Sequence, residues 1–236
     1  MLNGTYKPEF TMNAVLQLAL ASVCGVICLG ARAESTAPKA PLATVHESGV
    51  HMSGISGDPD TPRRHYRLRL PQRLAPAEAQ RIYGIVGGAL ARGYSSGRDN
   101  AAKGYQQWRR YNQTPYLSTV HGNHYLNHYA NDIAAAYGAF EEAGTLPVGS
   151  VLAKDSYAVT ETGGLVLGPL FLMEKMAAGF NPISGNWRYT LIQPDGQLLG
   201  ETNGRGTVSV NYCIGCHLTK ASNDHLFFVP EAFRVR

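Results

Sequence analysis

The apolar positions of this chain change period along its length. Residues 14–30 form a mostly apolar run. Residues 34–62 are rich in Pro, Ala, Ser and Gly with no apolar period, which predicts a flexible arm. Helical signals come next. "APAEAQRIYGIVGGALARGY", within residues 71–94, predicts a helix with a glycine-softened middle, and "NAAKGYQQWRRYNQ" predicts a second helical stretch. "YLSTVHGNHYLNHYAND" is rich in Tyr, Val and Thr and partly alternates, so part of it is predicted as strand. "NDIAAAYGAFEEAG" predicts a third helix, capped by Asn131 or Asp132 and stopped by Gly144. Then the period shortens. "GSVLAKDSYAVT", "GPLFLMEKM" and "NWRYTLIQPDGQLLGE" predict strands punctuated by Gly, Pro and Asp-Gly turns. A helix over "TVSVNYCIGCHLTKA" and a last strand at "HLFFVP" complete the order. This order predicts an α+β fold: N-terminal helices, an antiparallel β-sheet, and a C-terminal helix.

The apolar run changes the expected compartment. Lys7 precedes it and "ARAES" follows it, which together read as a secretory signal peptide over residues 1–33, cut after Ala33. Glu9 shares the charged region, and the run is near the lower limit for a spanning helix, so an uncleaved membrane anchor is the alternative. A lipid anchor fits less well, because Val23 and Ile27 precede Cys24 and Cys28 where a small residue is wanted. The expected location is the periplasm. The expected organisation is a signal peptide, a flexible arm over 34–62 and one folded domain over 63–236, long enough for a real core. The formal net charge is +4, with no basic run and no aromatic–basic interleaving, so nucleic acid is not an expected partner.

Removal of the leader takes Cys24 and Cys28 with it and leaves Cys213 and Cys216. A structural zinc needs four ligands. Here there is one cysteine pair, an adjacent His217 that cannot easily share the same tetrahedral ion, and one further candidate in His225. A redox C-x-x-C expects a thioredoxin-like context that the sequence lacks. A disulfide suits an exported protein but leaves His217 unexplained. C-x-x-C-H fits one covalent c-type haem directly, with His217 as the iron ligand. On a helix, Cys213 and Cys216 share a face, so each thiol can add to one haem vinyl group. His217 stands four residues from Cys213, beside that face. The C-terminal helix is thus predicted to be the haem-binding one.

A haem motif this late in the chain, behind a β-rich stretch, is not the layout of the small electron-carrying cytochromes c. The order "YQQW", "HYLNHYA", "LPVGSVLAKDSY", "NWRY" and "CIGCH" followed by Asn223 and Asp224 resembles the cytochrome P-460 family and its gas-binding relatives, the cytochromes c′-beta. The resemblance covers roughly residues 98–230. It implies a five-coordinate iron that oxidises hydroxylamine or a similar small nitrogen compound and passes electrons to a soluble cytochrome. It also implies a lysine linked covalently to the haem edge, at the position of Lys154 in "PVGSVLAK". The gas-binding relatives implied alongside cap the open face with phenylalanines and bind nitric oxide. Relatives pair as homodimers through their sheets.

Other residues are weighed beside these. A cross-link needs a neutral amine, so Lys154 has to be desolvated; a solvated strand lysine is the plainer reading. Strand alternation separates Lys154 from Asp155 without saying which face meets the haem. Glu174 interrupts an apolar strand and is the candidate base for the protons released; an ion pair with Lys175 or an arginine is the plainer reading. His121, His124 and His128 cannot all share one strand face, which argues against a three-histidine metal site and leaves one of them for the haem pocket. Met173 or Met176 as a sixth ligand would make the protein a plain electron carrier. Phe140, Phe171 and Phe180 are candidate caps, Trp108 and Trp187 candidate core or haem-wall residues, and Asp224 a candidate support for the turn after the haem helix.

Overall fold

The computed structural model describes residues 67–235. The predicted leader, the arm and the cysteines Cys24 and Cys28 lie outside the described residues.

Helix α1 (Pro76–Ser95) begins with a proline in its first turn, where the missing N–H costs nothing. Ala79, Tyr83, Val86, Leu90 and Tyr94 recur at helical spacing and bury one stripe against the sheet. The end of α1 presses on the turn that follows β7: a Cβ on Gly93 would stand 1.9 Å from the Pro194 carbonyl oxygen. Helix α2 (Asn100–Gly104) is capped by Asp99, whose carboxylate accepts from the Ala102 N–H. The second predicted helical stretch is therefore only half helical. It tightens at Tyr105–Gln107 and becomes extended at β1 (Arg109–Arg110), because that segment pairs with β3.

The other strands are β2 (Tyr116–Ser118), β3 (His124–Ala130), β4 (Val151–Val159), β5 (Leu165–Leu167), β6 (Leu170–Lys175), β7 (Trp187–Ile192) and β8 (Leu198–Glu201). Among the described residues they form one antiparallel sheet of eight strands in the order β1-β3-β4-β6-β7-β8. β2 joins β1 on one edge of β3, and β5 joins β6 on one edge of β4. Where the ladder breaks between β1 and β2, the Asn112 side chain fills in: its Oδ1 accepts from the His128 N–H at 2.7 Å.

Alternation gives the sheet two buried faces. One carries Tyr125, Tyr129, Ala153, Tyr157, Leu172 and Ile192 and packs on α1. The other carries Leu126, Leu152, Phe171, Met173, Tyr189 and Leu191 and lies under the C-terminal part of the chain. On the α1 face Asp155 is fully buried. It accepts O–H bonds from Tyr83 at 2.6 Å and Tyr105 at 3.0 Å, and an N–H bond from Asn127 at 3.0 Å. Burial raises its pKa, and those three donors oppose the rise.

Two predicted elements come out differently. Residues 132–142 are capped by Asn131 as expected, but they form 3₁₀ turns, interrupted at Ala134 and at Phe140, where φ is 53°. Phe140 is held there against Phe228 and the Arg234 guanidinium, and tertiary packing overrides the alanine-rich helix signal. "HLFFVP" is not a strand. Asp224 and His225 both take left-handed φ values, 51° and 61°, so the segment arrives as a loop that follows the sheet without joining it.

Gly93→Ala is expected to lower unfolding stability by about 1–3 kcal/mol, since neither the helix nor the Pro194 carbonyl can move aside cheaply. Denaturant titration checks this, and an unchanged midpoint would show that the contact is slack.

Candidate functional site

Helix α3 (Asn211–His217) lies over the second sheet face. Val210, Cys213, Ile214 and His217 follow the spacing of one helical face and turn toward the sheet. Cys216 stands at the exposed rim. The turn of the helix therefore brings both thiols and the imidazole to the edge of one cavity of about 370 Å³. The sheet supplies its floor through Leu152, Lys154, Phe171, Met173, Tyr189 and Leu191. The C-terminal loop supplies Phe227, Phe228, Pro230 and Phe233, and the β2–β3 turn supplies Thr119, Val120 and His121.

Both cysteines are free thiols, and burial pushes the Cys213 thiol up to about 12. That is the opposite of a low-pKa redox cysteine. His217 is buried, and its Nδ1 is 2.7 Å from the His225 carbonyl oxygen. A carbonyl can only accept, so Nδ1 carries the hydrogen and Nε2 carries the lone pair, the tautomer that suits a metal ligand. Tyr189 and Phe227 hold the ring, each with its centroid 5.0 Å away.

Lys154 is 6% exposed at the middle of β4, on the cavity side. Burial pulls its pKa down to about 8, and the two cysteines act in the opposite sense. It is therefore no solvated strand lysine. Its neighbour in the β3 register is His128. Tyr137 donates its hydroxyl hydrogen to the Phe227 carbonyl at 3.0 Å and so accepts from His128 Nδ1–H at 2.9 Å. His128 Nε2 then accepts from Tyr116 O–H at 2.7 Å. Both nitrogens of this buried, neutral imidazole are committed, so His128 shapes the cavity wall and is not placed to ligate.

Glu174 is not part of this site. Alternation along β6 turns Phe171 and Met173 to the cavity and Glu174 to the other face, where it pairs with Arg188. The plainer reading of Glu174 is the one the geometry supports, and it does not act on anything bound in the cavity. His121 reaches the cavity, His124 does not, and among the described residues no group of three or more His, Cys, Asp or Glu is arranged to hold a metal ion. Met173 and Phe171 line the cavity; Met176, Phe140 and Phe180 do not. Trp187 is fully buried core, and Trp108 borders a groove on the opposite face. Asp224 does hold the turn after α3, through contacts that reach the sheet. The sequence reading gave no site role to Tyr116, Tyr137, Tyr189 or the C-terminal phenylalanines. "NWRY" and "HLFFVP" hold Tyr189, Phe227 and Phe228, and only the strand register and the path of the C-terminal loop turn them to the cavity.

A mostly apolar cavity between an antiparallel sheet and a C-x-x-C-H helix, with a lone-pair imidazole nitrogen and two free thiols at its edge, fits a planar iron macrocycle. The class this defines is an α+β haem-protein domain. The family model described as Cytochrome P460 matches residues 102–228, more than half of the chain, and the chain belongs to that family. It is a haem protein of that kind, and the cofactor the family implies is a haem with its iron. Among curated proteins nothing matches.

Burial pulls the His124 pKa down to about 4 and the His128 pKa well below 6.5. Below 6.5 the unfolded chain binds protons that the native state refuses, so stability is full above that pH and is lost as pH falls toward the folded values. His124 alone is expected to cost about 2 kcal/mol between about pH 7.5 and about pH 5. Urea unfolding at the two pH values checks it, and His124→Gln should reduce the difference by that amount while leaving the share of His128. A wild-type midpoint that does not change with pH would contradict the lowered pKa of both histidines.

Proposed function

We propose that Cys213 and Cys216 hold one haem c through thioether bonds, with His217 Nε2 on the iron. On this reading the protein oxidises hydroxylamine or a similar small nitrogen compound. The observation that carries the reading is the meeting of Cys213, Cys216, His217 and Lys154 at one apolar cavity. The haem held by these residues would supply the redox chemistry toward a small nitrogen compound.

The chain's own residues do the rest. The two thiols fix the orientation of the group, and the Nδ1–H bond to the His225 carbonyl fixes the plane and basicity of the His217 ring. Lys154 presents an amine that is substantially neutral near pH 8, as bonding to the haem edge requires. The phenylalanines exclude water from the cavity. With Glu174 on the other face, proton release is left to groups at the cavity mouth. Export to the periplasm, a soluble cytochrome as electron acceptor and a homodimer complete the proposal; all three come from the leader-like sequence and the family.

A second reading is favoured by one observation. Phe171, Phe227, Phe228 and Phe233 line the cavity, an apolar surround that suits binding nitric oxide without turnover. Met173 in the same wall supports a third reading, a six-coordinate electron carrier.

The test is the visible spectrum of the reduced protein and of Lys154→Ala. A red-shifted, broadened Soret band that reverts in the variant is expected. An ordinary five-coordinate spectrum unchanged by the substitution would remove Lys154 from the chemistry and favour gas binding. A low-spin six-coordinate spectrum that Met173→Ala abolishes would favour electron transfer.

A further inference from the structure

The turn behind α3 is built from unusual parts. Residues 224 and 225 are a non-glycine pair, both in the left-handed region, with φ of 51° and 61°. A conformation of that kind is unfavourable for a residue with a side chain and persists where the surroundings over-determine it. Here they do. The Asp224 carboxylate takes the Lys175 ammonium on Oδ1 and the Leu146 N–H on Oδ2, the latter at 2.9 Å. Its backbone carbonyl accepts the Trp187 indole N–H at 2.8 Å. The His225 N–H closes the turn on the Lys220 carbonyl at 2.8 Å.

Lys175 is itself buried. Its ammonium also donates to the Gly185 carbonyl at 2.9 Å and lies 4.9 Å from the centre of the Trp187 ring. Gly185 leaves space for the turn, since a Cβ there would stand 2.4 Å from His225 Cδ2. The ends of two central strands, a buried ion pair and a fully buried tryptophan therefore converge on one short turn. This turn meets the candidate site through the His225 carbonyl at His217 Nδ1.

We propose that Asp224, clamped by Lys175 and Trp187, is a positioning residue that holds the His225 carbonyl against His217 Nδ1 and thereby sets the donor strength of His217 toward iron. The inference rests on the reading of His217 as the iron ligand. An acceptor on Nδ1–H makes the opposite nitrogen a stronger donor, and that strength depends on where the acceptor is held. A stronger donor favours the ferric state, so the clamp lowers the reduction potential.

The experiment is resonance Raman spectroscopy of the ferrous holoprotein with potentiometric titration of the same samples. Asp224→Asn and Lys175→Met each leave a buried charge unpaired, which destabilises the fold. The double variant removes both charges together, and Trp187→Phe removes the indole donor and part of the ring while leaving both charges in place. The iron–histidine stretching band is expected to move to lower frequency and the midpoint potential to rise in every variant that folds. Gly93→Ala, which disturbs only the far face of the sheet, should leave both unchanged. Variants that lose stability while band and potential stay in place would overturn the proposal and leave the clamp a support for the fold. A wild-type spectrum without an iron–histidine band would overturn the assignment of His217 itself, which is a different failure.

Discussion

Strand β4 buries a lysine and an aspartate next to each other in sequence and on opposite faces of the sheet. Each is an expensive residue to take out of water. Asp155 is compensated by two tyrosine hydroxyls and an asparagine amide, which fixes α1 and the segment after α2 against that face. Among the described residues no carboxylate pairs with Lys154. It faces an apolar cavity edged by two thiols, and burial brings its amine toward neutrality. The polar clamp of the first face keeps the strand register that commits Lys154 to the second. Fold and site are coupled through this one strand.

The cavity is assembled from distant parts of the chain. The sheet provides a rigid floor, α3 brings the cysteines and His217, and the C-terminal loop closes the wall with phenylalanines. None of these can be displaced by one residue without consequence. A slip of β4 would exchange Lys154 for Asp155 at the cavity, and a slip of β6 would bring in Glu174 in place of Met173. The ion pair between Lys175 and Asp224 ties the end of β6 to the turn that orients His217, so the same strand that lines the cavity also braces the imidazole.

Local chemistry was legible in the sequence and long-range placement was not. C-x-x-C-H carries its spacing within five residues, and α3 realises it directly. The strands with clear alternation or Asp-Gly turns formed where expected. Lys154 stood out by the residues around it, but its face depends on pairing with His128 and Phe171, partners 26 and 17 residues away that no local pattern identifies. Glu174 illustrates the same limit. Its position in "LFLMEK" shows that it shares a face with Leu170 and Leu172, and only the packing of Leu170 and Leu172 on the α1 side tells that this face turns away from the cavity. "HLFFVP" read as a strand because a short apolar run looks alike in a sheet and in a wall-forming loop. The left-handed backbone of Asp224 and His225, which decides between them, leaves no glycine in the sequence to announce it.

Mass spectrometry of peptides from the denatured, protease-digested holoprotein tests most directly the proposal that one haem is bound covalently in the cavity between β4 and α3. The account predicts that the haem mass is carried by a peptide containing Cys213 and Cys216, joined through the macrocycle to a peptide containing Lys154. Haem on the cysteine peptide alone would leave the attachment standing and remove the lysine bond. Haem released free from all peptides would contradict the account at its root.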